Sequence, residues 1–103
     1  MYRQRSRQQI VYGQFREYIE IAEEVIALRR KLGLTEPRLW ASTFGTANEV
    51  IWEVEYPDLA SFQRENEAFY SDPDVMQQWR RLWQYVVQGS IQDELLEEAP
   101  RIA

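Results

Sequence analysis

The sequence predicts an α+β protein with the element order βαββαβ. Two strand-like runs, Arg38–Phe44 and Glu49–Glu55, are joined by the short connection Gly45–Asn48. Long amphipathic helical segments flank this pair on both sides, and alternating segments near the two ends of the chain supply a first and a fourth strand. The pattern therefore predicts an architecture, whereas no residue cluster identifies a reaction.

The composition predicts one soluble globular domain over residues 1–103. Apolar residues make up 45% of the chain and charged residues 28%, and a domain of this size buries its apolar surface better when it pairs with a second copy. The net charge of -5 gives little attraction for a nucleic-acid backbone, so we expect no nucleic-acid partner. No apolar run approaches the roughly 20 residues that span a bilayer, and Met1–Ile10 is polar. We therefore expect a cytoplasmic protein without a membrane partner.

The chain contains no Cys and no His, which excludes several classes of chemistry. Disulfides, thiolate catalysis and the imidazole ligands of haem, zinc and most iron sites are all ruled out. Asp72 and Asp74 flank Pro73, and helix capping explains this arrangement more simply than metal binding does. We therefore expect no metal and no cofactor.

The first strand is predicted at Tyr2–Gln8, where arginines at positions 3, 5 and 7 alternate with Tyr, Gln and Ser. This period is that of a strand, although neither face is apolar, and a frayed N-terminal arm is the alternative. The first helix is predicted at Gly13–Leu32, with acidic residues early, basic residues late and a left-handed cap at Gly33.

The second helical region is predicted to begin at Asp58 and to break at Ser71–Asp74. A new helix then starts at Pro73, carries an apolar stripe to Val86 and ends before Gly89. The fourth strand is predicted at Ser90–Leu96.

The short connection in the middle hairpin fixes a pairing that can be tested. One face receives the helices and pairs Leu39 with Val54, Ala41 with Trp52, and Thr43 with Val50. The other face pairs Trp40 with Glu53, Ser42 with Ile51, and Phe44 with Glu49. The orientation of Trp52 under the helices and of Trp40 away from them is the geometric prediction on which the candidate site depends.

The candidate ligand site lies on the face that points away from the helices. In a split βαββαβ topology the first strand lies beside the third, so its arginines share this face with the acidic residues. Arginines hold anionic or planar groups by bidentate hydrogen bonds and stacking, and aromatic rings supply apolar walls. The predicted lining is Arg5, Arg7, Trp40, Phe44 and Glu53. The alternative is a set of ordinary cross-strand ion pairs, each stabilising by about 0 to 1 kcal/mol when exposed.

Two other constellations have competing interpretations. Glu53 and a neighbouring carboxylate, Glu49 or Glu55, could form an acid–base pair, but a solvated or Arg-paired group explains them more simply. The four tryptophans could line a cofactor pocket, yet Trp52, Trp79 and Trp83 fall on the predicted helix–sheet interface and are better explained as core.

A family resemblance rests on the segment from Gly13 to Val86. It consists of a helix that ends at Gly33, the strands Leu39-Trp40-Ala41 and Asn48–Glu53, the helix start Asp58-Leu59 and the break Ser71–Asp74. This combination resembles the NIPSNAP-like members of the dimeric α+β barrel superfamily. The resemblance implies a ferredoxin-like unit with a four-stranded antiparallel sheet that pairs sheet to sheet into a homodimeric barrel. Relatives include cofactor-independent oxygenases and isomerases, and the absence of His separates this chain from the haem-dependent and polyketide-cyclising ones.

The leading hypothesis is a small-molecule-binding homodimer in which Arg5 and Arg7 hold an anionic or aromatic ligand and Glu53 is the candidate proton acceptor. A cofactor-independent oxygenase or isomerase is the activity that the resemblance implies, and whether the chain is an enzyme stays open. The competing hypothesis is a noncatalytic dimerisation domain whose face is sealed by ion pairs. An RNA-binding module needs exposed aromatics on a basic surface, and this acidic chain meets only the first condition.

Overall fold

A four-stranded antiparallel sheet carries three helices on one face, and the fold is ferredoxin-like. The computed structural model describes residues 1–101. The elements are β1 (Tyr2–Gln9), α1 (Phe15–Lys31), β2 (Arg38–Ala41), β3 (Glu49–Tyr56), α2 (Leu59–Ser71), α3 (Pro73–Trp83) and β4 (Gln92–Glu97). The strand order is β2-β3-β1-β4, so the predicted split βαββαβ topology is confirmed. No helix within residues 1–101 combines the length and the apolar character that crossing a bilayer requires.

The first strand is a full member of the sheet, which excludes the frayed-arm alternative. β1 lies between β3 and β4 and pairs with both of them in antiparallel register. Its arginines point to one face, while Gln4, Ser6 and Gln8 point to the helices. The strand is therefore held by pairing on both edges rather than by an apolar face of its own.

The middle hairpin departs from the prediction by two residues. Leu39 pairs with Trp52 and Ala41 pairs with Val50, whereas the sequence predicted Val54 and Trp52 as their partners. β2 ends at Ala41, and the connection to β3 is longer than predicted because the amide of Ser42 already bonds to the carbonyl of Glu49 at 3.2 Å. Since side chains alternate with a period of two, a shift of two residues keeps every face unchanged. Trp52 does lie under the helices, and Trp40 does point away from them.

The helix ends follow local signals in the sequence. Gly33 adopts a left-handed conformation with φ of 73°, and the amide of Leu34 bonds to the carbonyl of Arg29 at 3.0 Å, which closes the end of α1. Asp58 caps α2 by accepting a hydrogen bond from the Ser61 amide at 2.7 Å. The core then forms where α1 and α3 cover the sheet, and it contains Tyr18, Ala22, Val25, Val50, Trp52, Val75, Trp79 and Leu82.

The cap between α2 and α3 gives a direct stability test. Asp72 accepts a hydrogen bond from the Val75 amide at 2.9 Å, and Pro73 follows it at the first helical position. We expect Asp72→Ala to lower the free energy of unfolding by about 1 kcal/mol, because the amide loses its acceptor. Urea denaturation followed by circular dichroism measures the change. Asp72→Asn keeps a capping oxygen, and an equal loss in that variant would contradict the cap interpretation.

Candidate functional site

A cavity of about 80 Å³ lies between the helix-covered face of the sheet and the helices α2 and α3. We call it the sheet–helix cavity. Its sheet wall consists of Gln4, Ser6, Trp52, Val54 and Tyr56, and its helix wall consists of Asn66, Phe69, Tyr70, Trp79 and Trp83. Arg29, Pro37, Ile91 and Asp93 complete the lining. The sequence analysis placed its candidate site on the opposite face of the sheet.

A buried hydrogen-bond chain explains why the helix-facing side of β1 is polar. Gln8 is fully buried, and its side chain belongs to a hydrogen-bond chain that runs under the helices. Trp52 Nε1 donates to the Tyr18 hydroxyl at 2.6 Å, the Tyr18 hydroxyl donates to Gln8 Oε1 at 2.5 Å, and Gln8 Nε2 donates to Ser6 Oγ at 3.1 Å. Burial raises the pKa of Tyr18, so this hydroxyl keeps its proton and remains a donor. The hydrogen-bond chain ends at Ser6, which lines the cavity.

The helix wall is a cluster of aromatic rings in edge-to-face contact. The ring of Trp79 lies 5.4 Å from that of Trp52 and 5.5 Å from that of Phe69, both close to perpendicular. Such edge-to-face pairs are favourable because the positive edge of one ring meets the negative face of the other. Trp79 is 9% exposed, and among residues 1–101 no acceptor pairs with its Nε1 hydrogen. A buried donor without an acceptor is rare in a folded protein and costs free energy.

A buried charge network closes one side of the cavity. The guanidinium of Arg29 donates to the carbonyl of Thr35 at 3.2 and 2.9 Å and lies 3.7 Å from Glu65. The same guanidinium sits 5.2 Å from the centre of the Phe69 ring, a cation–π distance. Glu65 in turn accepts hydrogen bonds from the Thr35 amide and hydroxyl. Burial raises the pKa of Tyr56, and the positive charge of Arg29 opposes that rise.

The cavity opens towards solvent beside Trp83 and Ile91, which are 47% and 39% exposed. The prediction that Trp83 belongs to the core was wrong, because this side chain is half-exposed. Trp52 and Trp79 are buried as predicted. Burial raises the pKa of Tyr70, and the negative charge of Asp93 on this side of the cavity raises that pKa further. Among residues 1–101, no group of three carboxylates is arranged to hold a metal ion.

The other side of the sheet is an open face of alternating charges, formed by Arg3, Arg5, Arg7, Arg38, Trp40, Glu49, Ile51, Glu53, Glu55, Glu94 and Leu96. Arg5 Nε donates to Glu53 at 3.1 Å, Arg7 lies 3.4 Å from Glu49, and Arg3 pairs with Glu55. The predicted sharing of this face by arginines and carboxylates is confirmed. One row across all four strands reads Glu94, Arg5, Glu53, Arg38, with the charge sign alternating at each strand.

The open face brings together four of the five predicted ligand residues. Arg5 and Glu53 are in contact, while Arg7 and Trp40 both pair with Ile51 in the next row. Phe44 is not on this face: it lies in the connection between β2 and β3 and is fully exposed. The prediction for Phe44 assumed that β2 continued to residue 44, and the earlier closure at Ser42 removes that register position.

Sequence reasoning missed the polar lining of the sheet–helix cavity. Gln4 and Ser6 were noted only as the second face of a polar strand, and Asn66 was not singled out. The available signal was positional. The first strand is predicted beside the third, so the polar residues on its helix-facing side must find partners or a cavity. Trp52, Trp79 and Trp83 all line this cavity, as the alternative interpretation of the tryptophans as pocket residues predicted.

Comparisons with known proteins agree with this geometry. The sequence model of the NIPSNAP family matches residues 5–99. A NIPSNAP family protein from Agrobacterium tumefaciens superposes with a TM-score of 0.80 at 17% identity, covering 95% of this chain and 92% of that one. A NIPSNAP domain protein from Burkholderia xenovorans superposes with a TM-score of 0.75 at 20% identity, covering 100% and 99%. A structure described as an antibiotic biosynthesis monooxygenase gives a TM-score of 0.74 at 12% identity, covering 97% and 100%. No curated protein matches this sequence.

Proposed function

The chain belongs to the NIPSNAP family, and we propose that it binds a small aromatic molecule in the sheet–helix cavity. The observation that carries the proposal is the lining: aromatic rings from both walls converge with a few polar residues, among them Ser6 and Asn66. Apolar and aromatic walls with a small number of placed polar groups are typical of ligand pockets. The function is therefore recognition of a ring that presents polar substituents.

The volume limits the size of the ligand. At about 80 Å³ the cavity is smaller than the roughly 300–1,000 Å³ typical of pockets for drug-sized ligands. It is closer to the cavity of about 150 Å³ that holds benzene inside a protein core. At about half that volume the cavity encloses only part of a ring, and the rest of the ligand extends past the half-exposed Trp83.

Cofactor-independent oxygenation of such a ring is the candidate activity. Its support is the fold, which this chain shares with a structure described as an antibiotic biosynthesis monooxygenase. Asp93 is the cavity's candidate proton acceptor, because Glu53 lies on the open face and is paired with Arg5. Oxygen uptake with dihydroxybenzenes tests the activity, and an Asp93→Asn variant that lowers uptake while binding persists would support the role of the carboxylate.

A thermal-shift screen of single-ring aromatic compounds tests ligand binding. A compound present at about five times its Kd stabilises the folded state by about 1 kcal/mol, and for a domain of this size this raises the melting temperature by about 4–8 °C. We expect Val54→Phe to abolish the shift, because Val54 lines the cavity and a ring there fills it. Ile51→Phe adds a ring on the open face of the same strand and should leave the shift unchanged. Shifts that survive Val54→Phe would contradict the proposed site.

We further propose that the open face is covered by a second copy of the chain. Four arginines and four glutamates make this face electrically balanced, and Trp40 is 49% exposed on it beside Ile51. A twofold dimer uses the same patch on both subunits, so the patch must complement itself, and alternating charge rows satisfy that condition. In such a dimer Arg5, Arg7, Trp40 and Glu53 would line an enclosed interface, where an anionic ligand remains a prediction.

Light scattering during size exclusion tests the dimer. We expect a mass of twice the 12.4 kDa chain at micromolar concentration. Trp40→Asp should give a monomer, because it adds an unpaired negative charge to the contact, while Tyr12→Asp on an exposed connection should stay dimeric. A monomeric native chain would contradict the proposal. A dimer that binds no aromatic compound would instead favour a noncatalytic dimerisation domain.

A further inference from the structure

The charges of the open face are sorted by strand as well as alternating along its rows. On this face the two central strands each carry three charged side chains of a single sign. β1 contributes Arg3, Arg5 and Arg7, and β3 contributes Glu49, Glu53 and Glu55. A second copy that lies over this face therefore brings to each central strand either a column of the same sign or a column of the opposite sign.

The two edge strands of the sheet also differ in charge. β2 carries one charged residue, the exposed Arg38, which takes part in no ion pair within residues 1–101. At the other edge Glu94 of β4 is 42% exposed and lies 3.9 Å from Arg5. The segment 92–98 contains no basic residue, and its acidic residues are Asp93, Glu94, Glu97 and Glu98. The positive edge therefore lacks a partner in its own chain, and the opposite edge of the sheet is acidic.

A second copy can be placed over the open face in two orientations. In a twofold dimer both subunits use the same patch, and the axis of a face-to-face pair lies between the two sheets. If the axis runs across the strands, each strand lies over its own copy, so the arginines of β1 meet the same arginines of the partner. If the axis runs along the strands, the strand order β2-β3-β1-β4 is reversed in the partner. In that case β1 lies over β3 of the partner, and β2 lies over β4.

Only the axis along the strands brings opposite charges together in the central row of this face. That row reads Glu94, Arg5, Glu53, Arg38. When it faces its own reverse, Arg38 meets Glu94 of the partner subunit, and Arg5 meets Glu53 of the partner subunit. With the axis across the strands each of these side chains meets its own copy, and like charges that face each other in an interface weaken the complex.

We infer that the two subunits are related by a twofold axis along the strands and that Arg38 pairs with Glu94 of the partner subunit at both ends of the central row. This inference rests on the proposed dimer and specifies how the second copy is oriented. The next row agrees with it, because Arg3 then meets Glu55 of the partner subunit. The orientation also supplies Arg38 with the carboxylate that its own chain does not provide.

Charge reversal at the two edges tests the pairing, with the Kd of the dimer measured by analytical ultracentrifugation. Arg38→Glu and Glu94→Arg each place like charges opposite one another, so each should raise the Kd by about tenfold or more. A double variant that combines them exchanges the two charges and should recover most of the affinity. Within one chain positions 38 and 94 lie three strands apart, about 14 Å, so the recovery reports a contact between subunits.

The helix side of the molecule provides matched controls. Arg80 on α3 and Glu67 on α2 are exposed on the side of the sheet that carries the helices. Arg80→Glu and Glu67→Arg change the net charge by the same amounts as the two edge variants. Both should leave the Kd of the dimer unchanged.

A distance between two spin labels tests the orientation without altering the open face. The chain has no Cys, so Thr46→Cys in the exposed β2–β3 connection takes one nitroxide label per subunit. An axis along the strands puts both connections at the same end of the dimer, whereas an axis across the strands puts them at opposite ends. We expect double electron–electron resonance to give a distance shorter than β3, which spans about 26 Å over its 8 residues.

The outcomes separate this inference from the proposed dimer. A native chain that stays monomeric overturns both. A native dimer overturns the orientation alone if the single edge variants leave its Kd unchanged, if the double variant does not recover, or if the label distance exceeds the length of β3. If circular dichroism shows that an edge variant does not fold, the label distance decides the orientation.

Discussion

Arg29→Met is expected to lower the free energy of unfolding by about 3–5 kcal/mol, the range found when one partner of a buried ion pair is removed. Arg29 is 7% exposed, and its guanidinium bonds to the Thr35 carbonyl and faces Glu65. Met retains much of the apolar stem but leaves the Glu65 carboxylate, which is only 12% exposed, without its cation and the Thr35 carbonyl without its donors. Urea denaturation at neutral pH measures the loss.

The neighbouring arginine provides a matched control for this prediction. Arg30 is largely exposed and pairs with Glu36 at the surface, so Arg30→Met should change stability by no more than about 1 kcal/mol. Adding Glu65→Gln to Arg29→Met removes the orphaned charge while keeping an acceptor for the Thr35 amide. This double variant should recover part of the loss. Equal effects of Arg29→Met and Arg30→Met would show that the buried network does not stabilise the fold.

Tyr18→Phe is expected to lower the free energy of unfolding by about 2–4 kcal/mol. The Tyr18 hydroxyl accepts from Trp52 and donates to Gln8, and all three side chains are buried. Deleting one oxygen leaves a buried donor and a buried acceptor unpaired, each costing about 1–3 kcal/mol. Tyr12→Phe makes the same chemical change on an exposed side chain and should change stability little. A loss no larger than that of Tyr12→Phe would contradict the role of the hydrogen-bond chain.

The ionisation of Tyr18 adds an alkaline signature to this prediction. Burial raises its folded-state pKa above the ordinary value of 10.0, so the folded protein holds the proton at pH values where the unfolded chain has lost it. The contribution to stability is therefore complete below pH 10 and is lost as the pH rises beyond it. Tyr18→Phe should weaken the fall in stability above about pH 10, and the raised pKa values of Tyr2, Tyr56 and Tyr70 contribute to the slope that remains.

Periodicity and local signals were sufficient to predict much of the fold. The element order, the break at Asp72 and the cap at Gly33 depend on side-chain alternation, helical spacing and the backbone preferences of single residues. The face of each residue that is paired between β2 and β3 was also predictable, because an error of two residues in register does not exchange the faces of a strand. The exact end of β2 was not predictable from the sequence, since it depends on the hydrogen bond from the Ser42 amide to the Glu49 carbonyl, which begins the connection to β3.

The sequence by itself therefore determined the βαββαβ architecture, the separation of Trp52 from Trp40 and the pairing of arginines with glutamates on the open face. Only the tertiary structure decided that Arg29 is buried while Arg30 is exposed, that Ser6 ends a buried hydrogen-bond chain, and that the Trp79 indole donor meets no acceptor within residues 1–101. The physical reason is range. Alternation and capping act between residues a few positions apart, whereas a cavity and the satisfaction of its polar atoms depend on how strands and helices distant in sequence pack against one another.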